Sequence, residues 1–160
     1  MTAEPVGTAR RTSRGQRFAA LYAQAQQFYA HQMQILDTYA THGPHGTERW
    51  AGTFTEDAVI ELPFLPAPVP ARTGLAHYVR AGAERQRRAA GRLDHWVGRL
   101  DVRPRADGSL HTRCSALVHG GAPGPGGSRI LYVCVMEDVL VATRGGWRTA
   151  HRRVTRDDLA

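Results

Sequence analysis

The sequence has no lysine, only two cysteines and no long run of apolar residues. Two cysteines are too few for a disulfide framework or a four-thiolate metal site. A membrane span needs roughly 18–20 consecutive apolar residues, and no segment of this chain approaches that length. The first 17 residues contain four arginines and no apolar core, so they do not resemble a secretory signal. We therefore expect a soluble cytoplasmic protein that does not bind membranes.

Arginine supplies all 21 basic residues, and the formal net charge is +7 at pH 7. A positive charge of this size is typical of many nucleic-acid-binding proteins. The arginines are scattered, however, outside the N-terminal tail and residues 85–92. Scattered charges are more typical of a solvated surface with some ion pairs. We therefore expect no nucleic-acid partner.

A chain of 160 residues, of which 42% are hydrophobic and 22% charged, fits one globular domain. Residues 1–16 lack periodicity, which predicts a disordered basic tail before a single domain at 17–160. Apolar residues at spacings of three and four predict a long helix over 18–39, and shorter helices are expected over 47–54 and 74–90.

The remaining pattern is that of strands. Asp57 is expected to open a turn into a strand at 58–62, and a proline-rich loop follows it. The second half of the chain alternates between apolar and polar residues, which predicts strands over 95–102, 110–119, 130–141 and 147–154. Helices followed by an antiparallel meander are typical of an α+β fold.

Four segments have a pattern that is found in a known family. They are Tyr29-Ala-His-Gln-Met-Gln-Ile-Leu-Asp37, Trp50-Ala-Gly-Thr-Phe-Thr-Glu-Asp-Ala-Val59, His95-Trp-Val-Gly98 and Arg152-Arg-Val-Thr-Arg-Asp-Asp-Leu159. Over about residues 18–159 the chain resembles the SnoaL-like proteins of the nuclear transport factor 2-like superfamily, which are encoded beside aromatic polyketide synthases.

This resemblance implies a cone-shaped α+β barrel, in which a strongly curved antiparallel sheet wraps around three N-terminal helices and leaves a deep apolar pocket. Members act without a metal or organic cofactor as dehydratases, isomerases, cyclases or epoxide hydrolases, and others are binding modules. The resemblance also implies a homodimer that forms through the outer sheet face, where Val133, Val135 and Val139 are expected.

His95 is the first candidate for catalysis, because an imidazole can take a proton beside a carbonyl and return it to a leaving hydroxyl. The resemblance supports this residue, since dehydratases of the superfamily hold a histidine at the start of the same strand. They also keep an aspartate that pairs with that histidine, and the matching position here is expected to be Gln34. An amide at that position would orient the ring without stabilising its charged form.

Asp138 and Arg113 are the candidates for stabilising a developing oxyanion. Asp138 would do so as a protonated carboxyl in an apolar wall, and the alternative is an ion pair between its carboxylate and Arg153. Arg113 would polarise a carbonyl, and the alternative is an ion pair with a neighbouring strand. Candidates for contact with the substrate are Gln34, Tyr39, Tyr29, Trp96 and His119.

Together with the resemblance, which implies the polyketide substrate and the absence of a cofactor, these residues predict a cyclase or dehydratase that acts on an aromatic polyketide intermediate, for example by forming a pyran ring. One alternative is a polyketide-binding accessory protein without chemistry of its own. The other is an epoxide hydrolase-like enzyme in which Asp101, Arg99 and Asp138 activate water.

Overall fold

The computed structural model describes residues 13–38, 43–88, 92–121 and 126–156. Within these residues, three helices and six strands follow one another: two helices, two strands, the third helix and then four strands. The helices are α1 (Arg14–Thr38), α2 (Gly43–Ala51) and α3 (Ala71–Arg88); the strands are β1 (Phe54–Glu61), β2 (Val69–Pro70), β3 (Arg92–Pro104), β4 (Leu110–Gly121), β5 (Arg129–Thr143) and β6 (Gly146–Arg156). None of the described helices combines the length and the apolar character needed to span a bilayer.

The first helix begins earlier than its apolar pattern predicts. Ser13 and Gln16 form a reciprocal cap, since the Gln16 amide donates to Ser13 Oγ at 3.1 Å and the Ser13 amide donates to Gln16 Oε1 at 2.8 Å. Such a cap satisfies two amides that the helix itself leaves free. The predicted tail at 1–16 is therefore too long by the residues from Ser13 onward, and its earlier part lies outside the described residues.

The chain between α2 and β1 differs from the sequence prediction. The Gly52 amide donates to the Glu48 carbonyl and the Thr53 amide to the Trp50 carbonyl, and these bonds close the helix. Phe54 therefore begins β1 instead of ending α2, although its ring still contacts Trp50 with centroids 5.0 Å apart. Asp57 is an exposed residue within β1 and opens no turn, so that prediction was wrong.

All six strands form one sheet in the order β2-β1-β6-β5-β4-β3. The meander from β3 to β6 is antiparallel, as predicted. β1, however, pairs with β6 in parallel, so the sheet is mixed and the purely antiparallel prediction was wrong. The third helix also follows two strands instead of preceding the whole sheet. The α+β class with three helices against one sheet is confirmed.

Four register shifts interrupt the regular alternation of the described sheet, and three of them are single-residue bulges in the meander. In β3, Arg99 and Leu100 both lie opposite Cys114, and Arg99 has a φ of 52°. In β5, Leu131 is the extra residue, and in β6 it is Ala150. Each bulge bends its strand and shifts by one residue which side chains face inward. The bulges therefore decide which residues reach the concave face.

Two apolar clusters hold the helices against this curved sheet. One joins α1 to the inner face of β3, β4, β5 and β6, and includes Tyr29, Met33, Val118 and Met136. The other joins α2 and α3 to β1 and β2, and includes Trp50 and Leu75. Residues of both clusters line a cavity in the described fold.

Candidate active site

The cavity has a volume of about 630 Å³ and a largely apolar wall. Its residues come from all three helices and from strands β1 and β3 to β6, so it lies at the centre of the domain. The polar residues that line it include His95, Tyr78, Tyr132, Cys134, Arg129, Arg152 and Arg156. A cavity of this size and character fits a rigid ring system with a few oxygen substituents.

His95 lines this cavity and forms a close pair with Asp37, which lines a groove between α1 and β3. The distance between His95 Nδ1 and Asp37 Oδ1 is 2.6 Å, and the His95 backbone amide donates to Asp37 Oδ2 at 3.0 Å. One carboxylate therefore fixes both the main chain and the ring of His95. The side chains are 18% and 15% exposed, so the pair is largely, but not completely, shielded from water.

The contact with Asp37 determines which ring nitrogen of a neutral His95 is basic. A carboxylate can only accept a hydrogen bond, so Nδ1 carries the proton and Nε2 holds the free lone pair. Within the part of the chain that the structure describes, Nε2 has no hydrogen-bond partner. The ring can thus accept a proton at Nε2 while Asp37 stabilises the resulting imidazolium.

Asp37, and not Gln34, is the partner of His95, so the predicted role of Gln34 was wrong. Gln34 is exposed and lines a surface groove between α1 and β3. Gln34 and Asp37 are three positions apart in α1, which is nearly one helical turn. Asp37 is the more C-terminal of the two and lies beside the start of β3. Asp37 occupies the last turn of α1, where the helix dipole disfavours a negative charge. That unfavourable position is a signal in the sequence that could have identified it.

A second acidic residue on the inner face has a different environment. Asp138 accepts bonds from Arg152 Nε at 2.9 Å and Arg152 Nη2 at 2.6 Å, and its Oδ2 also accepts from the Tyr29 hydroxyl at 2.8 Å. Both oxygens are occupied, and the side chain is 0% exposed. The predicted protonated Asp138 facing the substrate was therefore wrong, because the group is a carboxylate bound to a guanidinium.

The bulge in β6 explains why the partner is Arg152 and not Arg153. Thr149 is buried, and simple alternation would turn residues 151 and 153 toward the core. Ala150 adds one residue to the strand, so Arg152 faces inward while Arg153 is exposed and pairs with Glu61. Sequence reasoning missed Arg152 because it did not include this bulge.

The α1 helix completes the buried network around Arg152. Gln32 Oε1 accepts a bond from Arg152 Nη2 at 2.6 Å, while Gln32 Nε2 donates to Thr53 Oγ1 at 2.8 Å. The Tyr29 hydroxyl bonds to Thr112 at 2.6 Å as well as to Asp138. Tyr29 is thus a buried structural residue and does not contact a substrate in the cavity, contrary to the prediction.

This network fixes the charge of its members. Burial and the nearby charge of Asp138 raise the pKa of Tyr29, so its hydroxyl stays protonated. Burial alone would lower the pKa of Arg152, but the charge and hydrogen bonds of Asp138 outweigh it and the pKa is raised. Burial, followed by the charge of Asp138, also raises the pKa of the Cys114 thiol to about 12. Arg152 therefore presents a permanent cation to the cavity that it lines.

The other predicted site residues do not line the cavity. Arg113 lies on the outer face, where its side chain is 60% exposed and pairs with Glu137 at 3.7 Å, because the residues of β4 alternate strictly between the two faces. Trp96 is 66% exposed, and its ring contacts His119 edge-on at 5.8 Å on that same outer face. The predicted catalytic role of Arg113 and the predicted substrate contacts of Trp96 and His119 were therefore wrong. Tyr39 lies outside the described residues.

The predicted epoxide hydrolase arrangement is also not assembled. Asp101 and Arg99 are exposed residues near the bulge in β3, whereas Asp138 is fully buried on Arg152. Within the described ranges, no three His, Cys, Asp or Glu side chains lie close enough together to hold a metal ion. His95 and Arg152 thus line one cavity, and Asp37 binds His95.

Comparison with known protein families identifies the family of this chain. Residues 17–153 match the SnoaL-like domain family. The chain belongs to the SnoaL-like family. The resemblance inferred from the sequence is therefore confirmed, and it extends over nearly all of the described residues. None of the functionally curated protein sequences is a detectable relative of the chain.

Several solved structures have a similar architecture. Aln2 from a Streptomyces species is 27% identical, with a TM-score of 0.74, over 88% of this chain and 93% of that one. ActVI-ORFA from Streptomyces coelicolor is 26% identical, with a TM-score of 0.75, over 87% and 96%. A protein from Catenulispora acidiphila, solved in complex with S-DNPA, is 30% identical, with a TM-score of 0.71, over 88% and 96%.

Proposed function

We propose that this protein is a cofactor-independent tailoring enzyme of aromatic polyketide biosynthesis, a cyclase or dehydratase that works by acid–base catalysis. The observation that carries the proposal is the 2.6 Å contact between His95 Nδ1 and Asp37 at the wall of a cavity of about 630 Å³. The apolar wall suits fused rings, and the histidine supplies the one neutral titratable base among the polar groups named above.

The reaction begins when Nε2 of His95 removes a proton from the carbon beside a substrate carbonyl. Negative charge then develops on the carbonyl oxygen, and the positive charge of the cavity lining, to which Arg152 contributes, stabilises it. The imidazolium, held by Asp37, returns the proton to the β-hydroxyl, which leaves as water. Proton, hydroxyl and electron pair are thus balanced, and a carbon–carbon double bond remains in the product.

Pyran formation uses the same groups in a related sequence. A substrate hydroxyl adds to a carbonyl to give a hemiketal, and His95 transfers the proton between the two oxygens. Loss of water from the new carbinol then gives the unsaturated ring. The net change is the loss of one water, which needs no oxidant or reductant.

The proposal is tested with 3-hydroxy-1-tetralone, a bicyclic β-hydroxy ketone that forms fluorescent 1-naphthol when it loses water. The wild-type protein should accelerate this loss, and His95→Gln should reduce the rate by about 10²- to 10⁴-fold. His119→Gln is the matched control, since His119 is a strand histidine outside the cavity wall, bonded to Ser128. A folded His95→Gln protein with the wild-type rate would refute the proposal. Binding without any turnover by the wild type would instead favour a polyketide-binding accessory protein.

We also propose a homodimer that forms through the outer face of the sheet. Trp96, Leu117 and Ile130 are 66%, 38% and 62% exposed, and the half-buried Val133 lies opposite Leu117 in the register. Beside this apolar patch runs a row of alternating charges across five strands, formed by Asp101, Arg113, Glu137, Arg153 and Glu61. Leu117→Arg should convert the dimer to a monomer in light scattering, and an unchanged mass would contradict this interface.

A cytoplasmic location is part of the same proposal. Cys114 and Cys134 are both free and buried thiols. Free thiols are usual in the reducing cytoplasm, where disulfides are rare. Export of the protein to the cell exterior in a fractionation experiment would contradict this part of the proposal.

A further inference from the structure

The charge of the cavity lining is entirely positive. Three arginines, Arg129, Arg152 and Arg156, line the cavity, and no Asp or Glu is among the described residues that do so. The charge of Arg152 is balanced by Asp138 behind it, at 2.6 Å. Arg129 contributes a positive charge that no acidic residue of the described cavity lining neutralises.

The bulge in β5 is what turns Arg129 toward the cavity. Val118 pairs with Tyr132 on the inner face, but His119 pairs with Ile130 because Leu131 is an extra residue. Arg129 is then opposite Gly120, which continues the inner row of Val118. Without the bulge, Arg129 would share the outer face with Val133.

Arg129 occupies an open position at the end of the cavity. The residue is exposed at the start of β5, and its partner across the strand is Gly120, which has no side chain to fill the space; Gly121 also lines the cavity. Within the described ranges, its guanidinium has neither an ion pair nor a hydrogen bond to another residue. The donors of the Arg129 guanidinium are therefore available to an acceptor that enters with a ligand.

Arg156 is another cation of the cavity lining. Its guanidinium stacks over the Tyr132 ring at 4.0 Å, which holds the planar group in one orientation at the cavity wall. Arg156 and Arg152 are four residues apart on the inner face of β6, which is about 13 Å along a strand. Arg152 is buried, Arg156 is half-buried and Arg129 is exposed, so the three cations are spread along the cavity lining.

We propose, on the basis of the proposed function, that the substrate is an acid whose carboxylate is bound by Arg129 at the cavity rim. The planar fork of a guanidinium matches a carboxylate better than any neutral oxygen. Arg129 lies two strands from His95 and two residues further along, which is about 12 Å between Cα atoms on a flat sheet. That separation places the carboxylate about one ring system away from the reacting carbon. Arg129 is thus a specificity-determining residue.

The test uses two ligands of the same shape that differ in charge, 2-naphthylacetic acid and 2-naphthylacetamide, with dissociation constants from isothermal titration calorimetry. The wild type should bind the acid about fivefold more tightly than the amide, and high salt should reduce this difference. Arg129→Gln should abolish the preference and leave the affinity for the amide unchanged within about twofold. Arg144→Gln, an exposed position that directly follows the other end of β5, makes the same charge change and should keep the preference.

A wild type without preference for the acid, or a folded Arg129→Gln protein that keeps it, would overturn this inference. The result does not depend on turnover, so it is separable from the proposed function. A His95→Gln protein with full activity would remove the proposed catalysis and leave the charge preference to be judged by its own measurement.

Discussion

Two carboxylates on the inner side of this fold each bind one basic side chain, and their surroundings differ. Asp138 and Arg152 have side-chain exposures of 0% and 4%, and every oxygen of Asp138 has a partner. Asp37 and His95 have exposures of 15% and 18%, and one ring nitrogen of His95 is free within the described chain. The first pair supplies a fixed charge, while the second supplies a proton that can move.

This difference follows from the chemistry of the bases and from their burial. A guanidinium does not release its proton in proteins, and burial beside a carboxylate strengthens that property. An imidazole titrates near neutral pH, and incomplete burial allows it to exchange protons with solvent. A cavity that is lined by the basic member of each pair has both an electrostatic stabiliser and a proton carrier.

The largest effect is expected where the fixed pair is broken. Arg152→Met leaves Asp138 charged, buried and bound only by Tyr29, so the free energy of unfolding should fall by about 3–5 kcal/mol in urea denaturation. A second variant, Arg152→Met with Asp138→Leu, removes both charges and should recover part of that loss. A single variant as stable as the wild type would show that the pair is not buried as described.

The second effect concerns activity instead of stability. Asp37→Asn replaces an acceptor of two hydrogen bonds by an amide that cannot stabilise imidazolium, so kcat should fall by about 10- to 100-fold while KM stays nearly constant. Asp37 is a positioning residue, so the pH profile of kcat should also shift. Gln34→Ala, one helical turn away on the exposed surface, should leave both parameters unchanged. Equal losses in the two variants would contradict the assignment of Asp37.

These two pairs also show what a single sequence can predict. The spacing of apolar residues was sufficient for the long helix and for the four strands of the meander, because both patterns repeat locally. Bulges at Leu131 and Ala150 were not predictable, because they depend on pairing between strands. On one side of each bulge, the residues that face inward and those that face outward are exchanged relative to simple alternation. Arg152 and Arg129 were missed for this reason. His95 was identified because it precedes the bulge in its own strand.

A smaller effect is expected at the edge of the buried network. Tyr29→Phe removes the hydroxyl that bridges Asp138 and Thr112, and should cost about 1–2 kcal/mol of unfolding free energy. Phe28→Leu, on the neighbouring position of α1, is a packing change that keeps the network intact. If Tyr29→Phe does not destabilise the protein, the network does not contribute to stability in the way proposed.

The alkaline stability of the protein should report the raised pKa of Cys114. The pKa of an unfolded cysteine thiol is about 8.5, whereas the pKa of Cys114 in the folded protein is raised to about 12. The stabilisation is therefore complete below the unfolded pKa and is lost as the pH rises through the interval up to the folded one. Cys114→Ala should show a shallower decline of unfolding free energy between pH 9 and 11, and parallel curves for the two proteins would contradict the raised pKa.

The smallest effect is expected on the outer face. Arg113→Gln breaks an exposed contact of 3.7 Å with Glu137, so the monomer's unfolding free energy should change by no more than about 0.5 kcal/mol. Turnover should be unchanged, because the side chain does not line the cavity. A large loss of activity in this variant would return Arg113 to the candidate site.

The state of the His95 ring is the most direct test of this account. Long-range ¹H–¹⁵N NMR of histidine-labelled protein measures which ring nitrogen carries the proton. We predict that neutral His95 carries it on Nδ1, and that the unprotonated Nε2 resonance shifts when 2-naphthylacetamide fills the cavity. A proton on Nε2, or an Nε2 resonance that saturating ligand does not move, would contradict a base that acts inside this cavity.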